Sequence, residues 1–144
     1  MPNWCQNVAT FKHNDLAMMV KLVDAIDSKD VFKSFFPTPP ELDRDPAHSW
    51  GGSDSERLIQ ETIRNENIEK YGYENGNAWR NGEWGTKWDV CELSIRDESS
   101  NSITIVFDTA WSPPTNFYDK MVDLGFDIDA MYYEGGCGFC GRYD

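Results

Sequence analysis

Cysteine is the residue type in this 144-residue chain whose spacing most readily suggests chemistry. Cys137 and Cys140 form a Cys-x-x-Cys pair in a glycine-rich tail, and Cys5 and Cys91 lie in predicted strands. Zinc takes four ligands at tetrahedral spacing, but a third strand should keep Cys5 and Cys91 about 9–10 Å apart. The tail position also does not favour thioredoxin-like redox chemistry. We therefore predict no metal and no other cofactor. The alternative is a zinc site with Cys137, Cys140 and Cys5 as its ligands.

Motifs of the common enzyme classes are missing from the sequence. It contains no P-loop, no Gly-x-Ser-x-Gly and no His-Glu-x-x-His. Asp89 and Asp108 could form an acid–base set with Lys87, but a Lys–Asp pair at a strand end is more often a structural ion pair. We therefore predict no catalytic residue and favour a binding protein over an enzyme.

The formal net charge of −12 argues against nucleic acid as a partner, because phosphate-binding surfaces need clustered Lys and Arg. From Asp97 onward the chain has nine acidic and two basic residues, so the acidic excess is concentrated in the C-terminal third. This excess is typical of a solvated surface, and it would also suit a basic site on a partner. No apolar run approaches the roughly 18 residues of a membrane span, and the first residues do not resemble a signal peptide. We predict a cytoplasmic protein with no membrane contact.

The first half of the chain predicts one strand and one amphipathic helix. Trp4–Lys12 has a weak alternation, with Ala9 and Phe11 on its buried side. Asn14 or Asp15 can cap the following helix. The apolar residues of that helix recur at helical spacing and are Leu16, Met19, Val20, Val23 and Ile26.

Residues 37–86 are predicted to form an insertion and not a second domain, because they have too few aliphatic residues for a separate core. Pro46–Ser53 contains a Gly-Gly pair and indicates a loop. Ser55 is predicted to cap a helix within the insertion.

The second half predicts a hairpin, a helix and a last strand. Trp88–Arg96 and Ser102–Asp108 form the hairpin, Ser112 caps a helix that ends at Gly125, and Phe126–Tyr133 follows. The inward residues of the hairpin are Cys91, Leu93 and Ile95 on one strand and Ile103, Ile105 and Phe107 on the other. The order βαββαβ predicts a single α+β domain over residues 1–144, with a ferredoxin-like fold. Its antiparallel sheet has the order 4-1-3-2, with both helices on one face.

This topology gathers the unusual residues at one end of the sheet. The candidate binding residues there are Trp4, Trp84, Lys87, Trp88, Asp108 and Trp111. Aromatic walls with a few polar groups are typical of ligand pockets and protein hot spots, and large aromatics also cap the open end of a core.

The sheet face away from the helices would be too apolar to leave bare. Its expected residues are Trp4, Val8, Val90, Val106, Met131 and Tyr133. We expect the insertion to cover it, and the alternative is a homodimer or partner surface. The central strands offer Gln6, Val8, Thr104 and Val106 on this face, with Asp108 at the end and little positive charge, which argues against RNA there.

Three motifs in this order resemble the YubB ferredoxin-like domain proteins of bacteriophages and plasmids. They are Pro2-Asn-Trp-Cys5, Trp84-Gly-Thr-Lys-Trp-Asp89 and Asp108-Thr-Ala-Trp-Ser-Pro-Pro114. Tyr71-Gly72, Trp79 and the glycine-rich ending extend the resemblance over nearly the whole chain. It implies a ferredoxin-like fold, a phage or mobile-element origin and a bacterial host cell. It assigns no catalytic or ligand residue.

The main functional hypothesis is a small acidic, non-enzymatic protein that binds a host or defence protein, for example as an inhibitor. The contact would involve the Trp-rich sheet end or the acidic C-terminal third, where Asp127 and Asp129 are the candidate residues. Alone, this aspartate pair is most simply edge-strand protection against aggregation. The alternative hypothesis is a small-ligand or nucleotide binder, or an enzyme, with its pocket at the Trp-rich end.

Overall fold

The computed structural model describes residues 2–44 and 53–144. The predicted loop over Pro46–Ser53 lies outside these ranges except for Ser53. The elements are β1 (Trp4–Lys12), α1 (Leu16–Ser28), α2 (Val31–Phe35), a 3-10 helix (Pro40–Arg44), α3 (Asp54–Tyr71), α4 (Gly76–Glu83), β2 (Cys91–Glu98), β3 (Ser102–Ala110), α5 (Thr115–Asp123), β4 (Asp127–Glu134) and β5 (Phe139–Tyr143). In the described ranges, no helix has both the length and the apolar character that a membrane crossing requires.

The strands form one open antiparallel sheet in the order β2-β3-β1-β4-β5. The predicted α+β class with an antiparallel sheet is confirmed, but the predicted number of four strands is wrong. The fifth strand comes from the glycine-rich tail. Gly138 has a φ of +77° in the turn that precedes it, and Gly141 lacks the Cβ that would collide with the Tyr132 hydroxyl. Glycine therefore permits this strand, although glycines in a sequence usually indicate irregular structure.

Helices α1 and α5 pack on the same face of the sheet. Ala9 and Phe11 of β1 are fully buried in one core cluster with Leu22 of α1 and Phe117 of α5. The prediction for the buried side of β1 is thus confirmed. The predicted cap of α1 is also confirmed, because the Asp15 carboxylate accepts a 2.9 Å hydrogen bond from the Ala17 N–H.

The predicted apolar stripe of α1 is wrong at two positions. Leu16 and Val20 are 60% and 58% exposed. The side chains that α1 buries are Met19, Leu22, Ala25 and Ile26. The helix is rotated so that Leu22 and the small Ala25 face the sheet, which leaves the other edge of its broad apolar stripe in solvent.

Helix α5 begins later than predicted, at Thr115, with Pro114 at its N-cap position. Ser112 does not cap it. The Ser112 hydroxyl instead donates a 2.5 Å hydrogen bond to the Gly85 carbonyl and joins the end of β3 to the insertion. The predicted stop at Gly125 is confirmed by a φ of +97° at that residue.

The insertion packs on the helical side of the molecule. Its helix α3 is capped by Ser53 and not by Ser55, through a reciprocal capping box with Glu56. The rings of Trp79 in α4 and Trp84 lie 5.9 Å apart, and Trp84 is buried in the main core. The described part of the insertion therefore lies away from the opposite sheet face. The expectation that it covers that face is wrong for the described residues.

Strand β2 has two register shifts against β3, one between Cys91 and Ser94 and one between Ile95 and Asp97. Glu92, within the first, has a φ of +49°. The first bulge changes which side of the sheet the residues face. Cys91 is paired with Asp108 on the face away from the helices, whereas Ile95 is paired with the buried Ile105. The prediction that Cys91, Leu93 and Ile95 share one face is therefore wrong.

Candidate functional site

The sheet face opposite α1 and α5 is hereafter called the open face. On β1 the buried residues alternate with others that point to this face, and the strand register extends the same assignment to its neighbours. The row nearer the Trp-rich end contains Cys91, Asp108, Gln6, Tyr133 and Cys140. The next row contains Ser94, Val106, Val8, Met131 and Arg142.

The centre of the open face is apolar and exposed to solvent. Met131 and Tyr133 on β4 are 56% and 55% exposed. Val8 and Val106 are cross-strand partners beside them. Together with Arg142 and Asp108 they line a shallow groove of about 700 Å³. An exposed apolar patch of this kind, rimmed by polar residues, is typical of an interaction surface.

Acidic side chains surround this apolar centre. Asp108 lies at one side of the groove, and burial together with the nearby negative charge of Glu92 raises the pKa of its carboxyl. Asp97 faces Thr104 at the far end of β2. Asp127 and Asp129 lie at the matching end of β4, where they face Lys12 and Thr10. The open face thus combines an apolar centre with a largely negative rim.

Four tryptophans lie at or near one end of the sheet, and they have different environments. The rings of Trp4 and Trp88 pack 6.2 Å apart, and both are partly exposed. Trp84 is 3% exposed, and its indole N–H donates to the Phe36 carbonyl at 2.9 Å. Trp111 is 45% exposed in a turn, with a φ of +70°.

The predicted binding residues are divided between two surfaces. Trp84, Lys87 and Trp88 line a cleft beside α2 and the insertion. Asp108 lines the groove on the open face. Asp127 lies opposite Lys12, at the end of β1 that is remote from Trp4. At about 3.3 Å per residue, the two ends of β1 are about 26 Å apart. The structure therefore does not bring the aspartates of β4 together with the tryptophans.

Neither the acid–base set considered from the sequence nor the structural Lys–Asp ion pair favoured over it forms among the described residues. Asp89 is a structural acceptor, because its carboxylate takes hydrogen bonds from the backbone N–H groups of Phe32, Lys33 and Val90 at 2.8–3.1 Å. Burial nevertheless raises its pKa. The Lys87 ammonium lies 4.4 Å from the Trp88 ring centroid, in cation–π geometry. Within the described residues it has no carboxylate at ion-pair distance.

The cysteines do not converge on one point. Cys5 is fully buried on the helical side of the sheet, where burial raises the pKa of its thiol to about 11. Cys140 lies on the open face, opposite Tyr133. Cys137 is exposed in the turn between β4 and β5. The described residues contain no group of three or more His, Cys, Asp or Glu side chains that could hold a metal ion. The alternative zinc ligands Cys137, Cys140 and Cys5 are therefore not brought together.

Glu134 was not identified from the sequence, although it organises the turn that the tail cysteines occupy. It is 1% exposed, and its carboxylate accepts from the N–H groups of Gly136 at 2.5 Å and Cys137 at 2.8 Å. Burial alone would raise its pKa, but these hydrogen bonds outweigh burial and lower it. The signal in the sequence is an acid directly before Gly-Gly-Cys-Gly, which suits a side chain that binds the N–H groups of a turn.

A second buried polar group lies beneath the Trp-rich end. Asn7 is 1% exposed, and its amide donates to the Cys5 carbonyl and the Thr109 hydroxyl, both at 3.0 Å. The Thr109 hydroxyl in turn donates to the Ser112 carbonyl at 2.7 Å. These bonds join β1 to the turn after β3, which places Trp111 at the sheet end.

No protein-family model matches the chain, and no curated protein matches its sequence. A structural likeness is found with the crystal structure of protein api92 from Yersinia pseudotuberculosis, described with the family model DUF1281. The TM-score is 0.54 at 9% sequence identity, over 99% of this chain and 93% of that chain. At this identity the likeness concerns the fold alone.

Proposed function

We propose that this chain is a small acidic binding protein, without catalytic activity, that binds a partner protein through the open face of a ferredoxin-like sheet. The observation that carries the proposal is the uncovered apolar centre of that face, above all Met131 and Tyr133. Burying the exposed half of each side chain in an interface would contribute about 1 kcal/mol per residue. A partner protein supplies this burial, whereas the described insertion does not.

The proposal includes the origin and the place of action. The resemblance to the YubB proteins supports a phage or mobile-element origin, a host or defence protein as partner, and the cytoplasm of a bacterial host as location. The packing of α1 and α5 on one sheet face supports the ferredoxin-like topology, with β5 added outside β4. The partner-binding residues that we propose are those at the centre of the open face.

The experiment compares two double variants by affinity purification from a bacterial lysate with quantitative mass spectrometry. Met131→Asp with Tyr133→Ser changes the open face. Leu16→Asp with Val20→Asp is the matched control, because these two side chains on α1 are equally exposed and apolar but lie on the opposite side of the molecule. Circular dichroism and the urea midpoint establish that both variants are folded.

We expect at least one partner that both the wild-type protein and the α1 control retain. Its recovery with the open-face variant should be at least tenfold lower, and a tenfold change in affinity corresponds to about 1.4 kcal/mol. If the open-face variant retains every partner of the wild-type protein, the proposed surface is wrong. Loss of the partner in the α1 control alone would assign binding to the groove beside α1, which Leu16 and Val20 line.

The second candidate function is a small-ligand site in the cleft beside α2. The observation that favours it is the combination of Trp84 and Trp88 with charged side chains of both signs in one cleft. The basic ones are Lys33, Arg80 and Lys87, and the acidic ones are Asp30, Asp43 and Asp89, of which Asp43 pairs with Arg80. Aromatic walls with charged groups can hold a small polar ligand such as a nucleotide. Quenching of tryptophan fluorescence by a nucleotide panel, lost in Lys87→Ala, would support this function. Quenching that is unchanged in Lys87→Ala would contradict it.

A further inference from the structure

We infer that the occupant of the open face is a short basic segment of a protein, with Lys or Arg side chains on both sides of an apolar or aromatic residue. This inference rests on the proposed function and specifies the chemistry of the partner. Two features of the face carry it: the distribution of charge around its apolar centre, and its size.

The acidic groups lie on two sides of the apolar centre. On the β2 side, Glu92 and Asp97 are exposed, and Asp108 lines the groove itself. At the far end of β4, Asp127 and Asp129 are exposed. A ligand whose apolar side chain rests on Met131 therefore has carboxylates within reach in two directions.

The basic groups near this face are fewer, and one of them is paired. Arg142 forms an ion pair with Asp129 at 2.9 Å, so these two charges largely cancel. Lys12 lies opposite Asp127 at the end of β1. Arg96 is exposed beside the second bulge of β2. Five carboxylates and three basic side chains leave the face negative, and electrostatic complementarity therefore favours a positively charged partner.

A second copy of the chain fits this face poorly. In a symmetric dimer the same patch occurs on both subunits, so the negative rims would oppose each other across the interface. Like charges brought together in this way disfavour association. The charge of the rim therefore argues for a basic partner and against self-association.

The size of the face suits a short segment. Four strand spacings of about 4.8 Å and a strand length of about 26 Å give an outline of about 19 Å by 26 Å. At about 3.3 Å per residue, an extended segment of about eight residues spans the longer side.

The test is selection from a displayed library of random peptides, about 12 residues long, on immobilised wild-type protein at low salt. The recovered peptides are then synthesised, and their affinities are measured by fluorescence anisotropy. Met131→Asp probes the apolar centre. Asp97→Asn with Asp127→Asn removes two rim charges, and Asp24→Asn with Asp27→Asn removes two exposed charges on α1 as the matched control.

We expect the recovered peptides to contain Lys or Arg on both sides of an apolar residue. Their affinity should fall at least tenfold in the Met131 variant and threefold to tenfold in the rim variant, and stay within twofold in the α1 control. Affinity should also fall as the salt concentration rises, because salt screens the rim charges.

Four outcomes would overturn the inference, and they differ in what they leave intact. If the recovered peptides are neutral or acidic and still lose affinity for the Met131 variant, the partner is not basic, but the open face remains the binding surface. If the affinity of basic peptides falls equally in the rim variant and in the α1 control, the peptides are attracted by the net charge of the protein alone. Peptides that ignore Met131, or a dimer in native mass spectrometry that Met131→Asp dissociates, would overturn the proposed partner site itself.

Discussion

Asp129 and Arg142 form a two-point ion pair across β4 and β5, with guanidinium nitrogens 2.9 and 3.1 Å from the two carboxylate oxygens. The sequence predicted that Asp127 and Asp129 protect an exposed edge strand against aggregation. That prediction needs correction because β5 pairs with residues 130–134 of β4 and becomes the edge there, so only residues 127–129 of β4 lie beyond the pairing. The carboxylate of Asp129 also helps to hold the added strand in register.

The contribution of this ion pair to stability should be small. Both side chains are more than half exposed, and solvated pairs of this kind contribute little to stability. A double-mutant cycle with Asp129→Asn and Arg142→Gln, followed by urea unfolding, should give a coupling free energy close to the error of the measurement. The coupling should decrease as salt is added. A coupling well above that error that salt does not change would show that the pair behaves as a buried one.

Glu134 should make the folded protein sensitive to acid. The pKa of its carboxyl is below the usual 4.5 in the folded state. The ionised form therefore stabilises the fold fully above the unfolded-state pKa, and this stabilisation is lost as the pH falls through the folded-state pKa. Glu134→Gln should reduce the loss of stability between about pH 5 and pH 3 in urea unfolding.

Asp89→Asn is the control for this measurement, because burial raises the pKa of Asp89 above the usual 3.8. A raised acid pKa has the opposite sign, so stability increases as the pH falls through the folded-state pKa of Asp89. In Asp89→Asn, the free energy of unfolding should therefore fall more steeply with decreasing pH than in the wild-type protein. Parallel pH profiles for wild type and Glu134→Gln would contradict the role that we assign to Glu134.

Tyr118 and Tyr143 should respond in opposite directions to replacement by Phe. Their rings are 5.1 Å apart. The hydroxyl of Tyr118 is buried and has no hydrogen-bond partner within the described part of the chain. The hydroxyl of Tyr143 donates to Asp119 at 2.6 Å, and burial, with this hydrogen bond, raises its pKa to about 12. Because an unpaired buried hydroxyl is costly, Tyr118→Phe should raise the free energy of unfolding by about 1 kcal/mol.

The matched variant, Tyr143→Phe, should lower the free energy of unfolding by about 0.5–1 kcal/mol, because it removes a hydrogen bond to the carboxylate of Asp119, which water then solvates. Chemical denaturation of the two single variants provides the comparison. A Tyr118→Phe protein less stable than wild type would show that the hydroxyl has a favourable interaction.

The four cysteines should separate into three classes of reactivity. Cys137 and Cys140 are exposed and should react with a thiol reagent in the native protein within seconds to minutes. Cys91 is partly buried, and burial raises its pKa, so it should react more slowly. Cys5, with its pKa of about 11, should react only after unfolding. Peptide mapping of labelled sites by mass spectrometry provides the measurement. Early labelling of Cys5 would show that the sheet end opens in solution.

The sequence alone determined the parts of this protein that depend on near neighbours. The alternation of Ile103, Ile105 and Phe107 predicted the buried side of β3, Asp15 predicted a helix cap, and Gly125 predicted a helix end. Each of these signals acts within a few residues, where the pleat of a strand or the free N–H and C=O groups of a helix end determine the conformation.

The tertiary structure decided the features that depend on pairing between distant residues. The bulge at Glu92 moved Cys91 to the open face, and the pairing of β5 with β4 brought Arg142 to the Asp129 carboxylate. The packing of the insertion left Met131 exposed. A shift of one residue in strand register exchanges the two faces of a strand, and a local sequence pattern does not encode the partner strand. For this reason the sequence could predict which residues lie near the sheet end, whereas only the tertiary structure identified the open face as the candidate site.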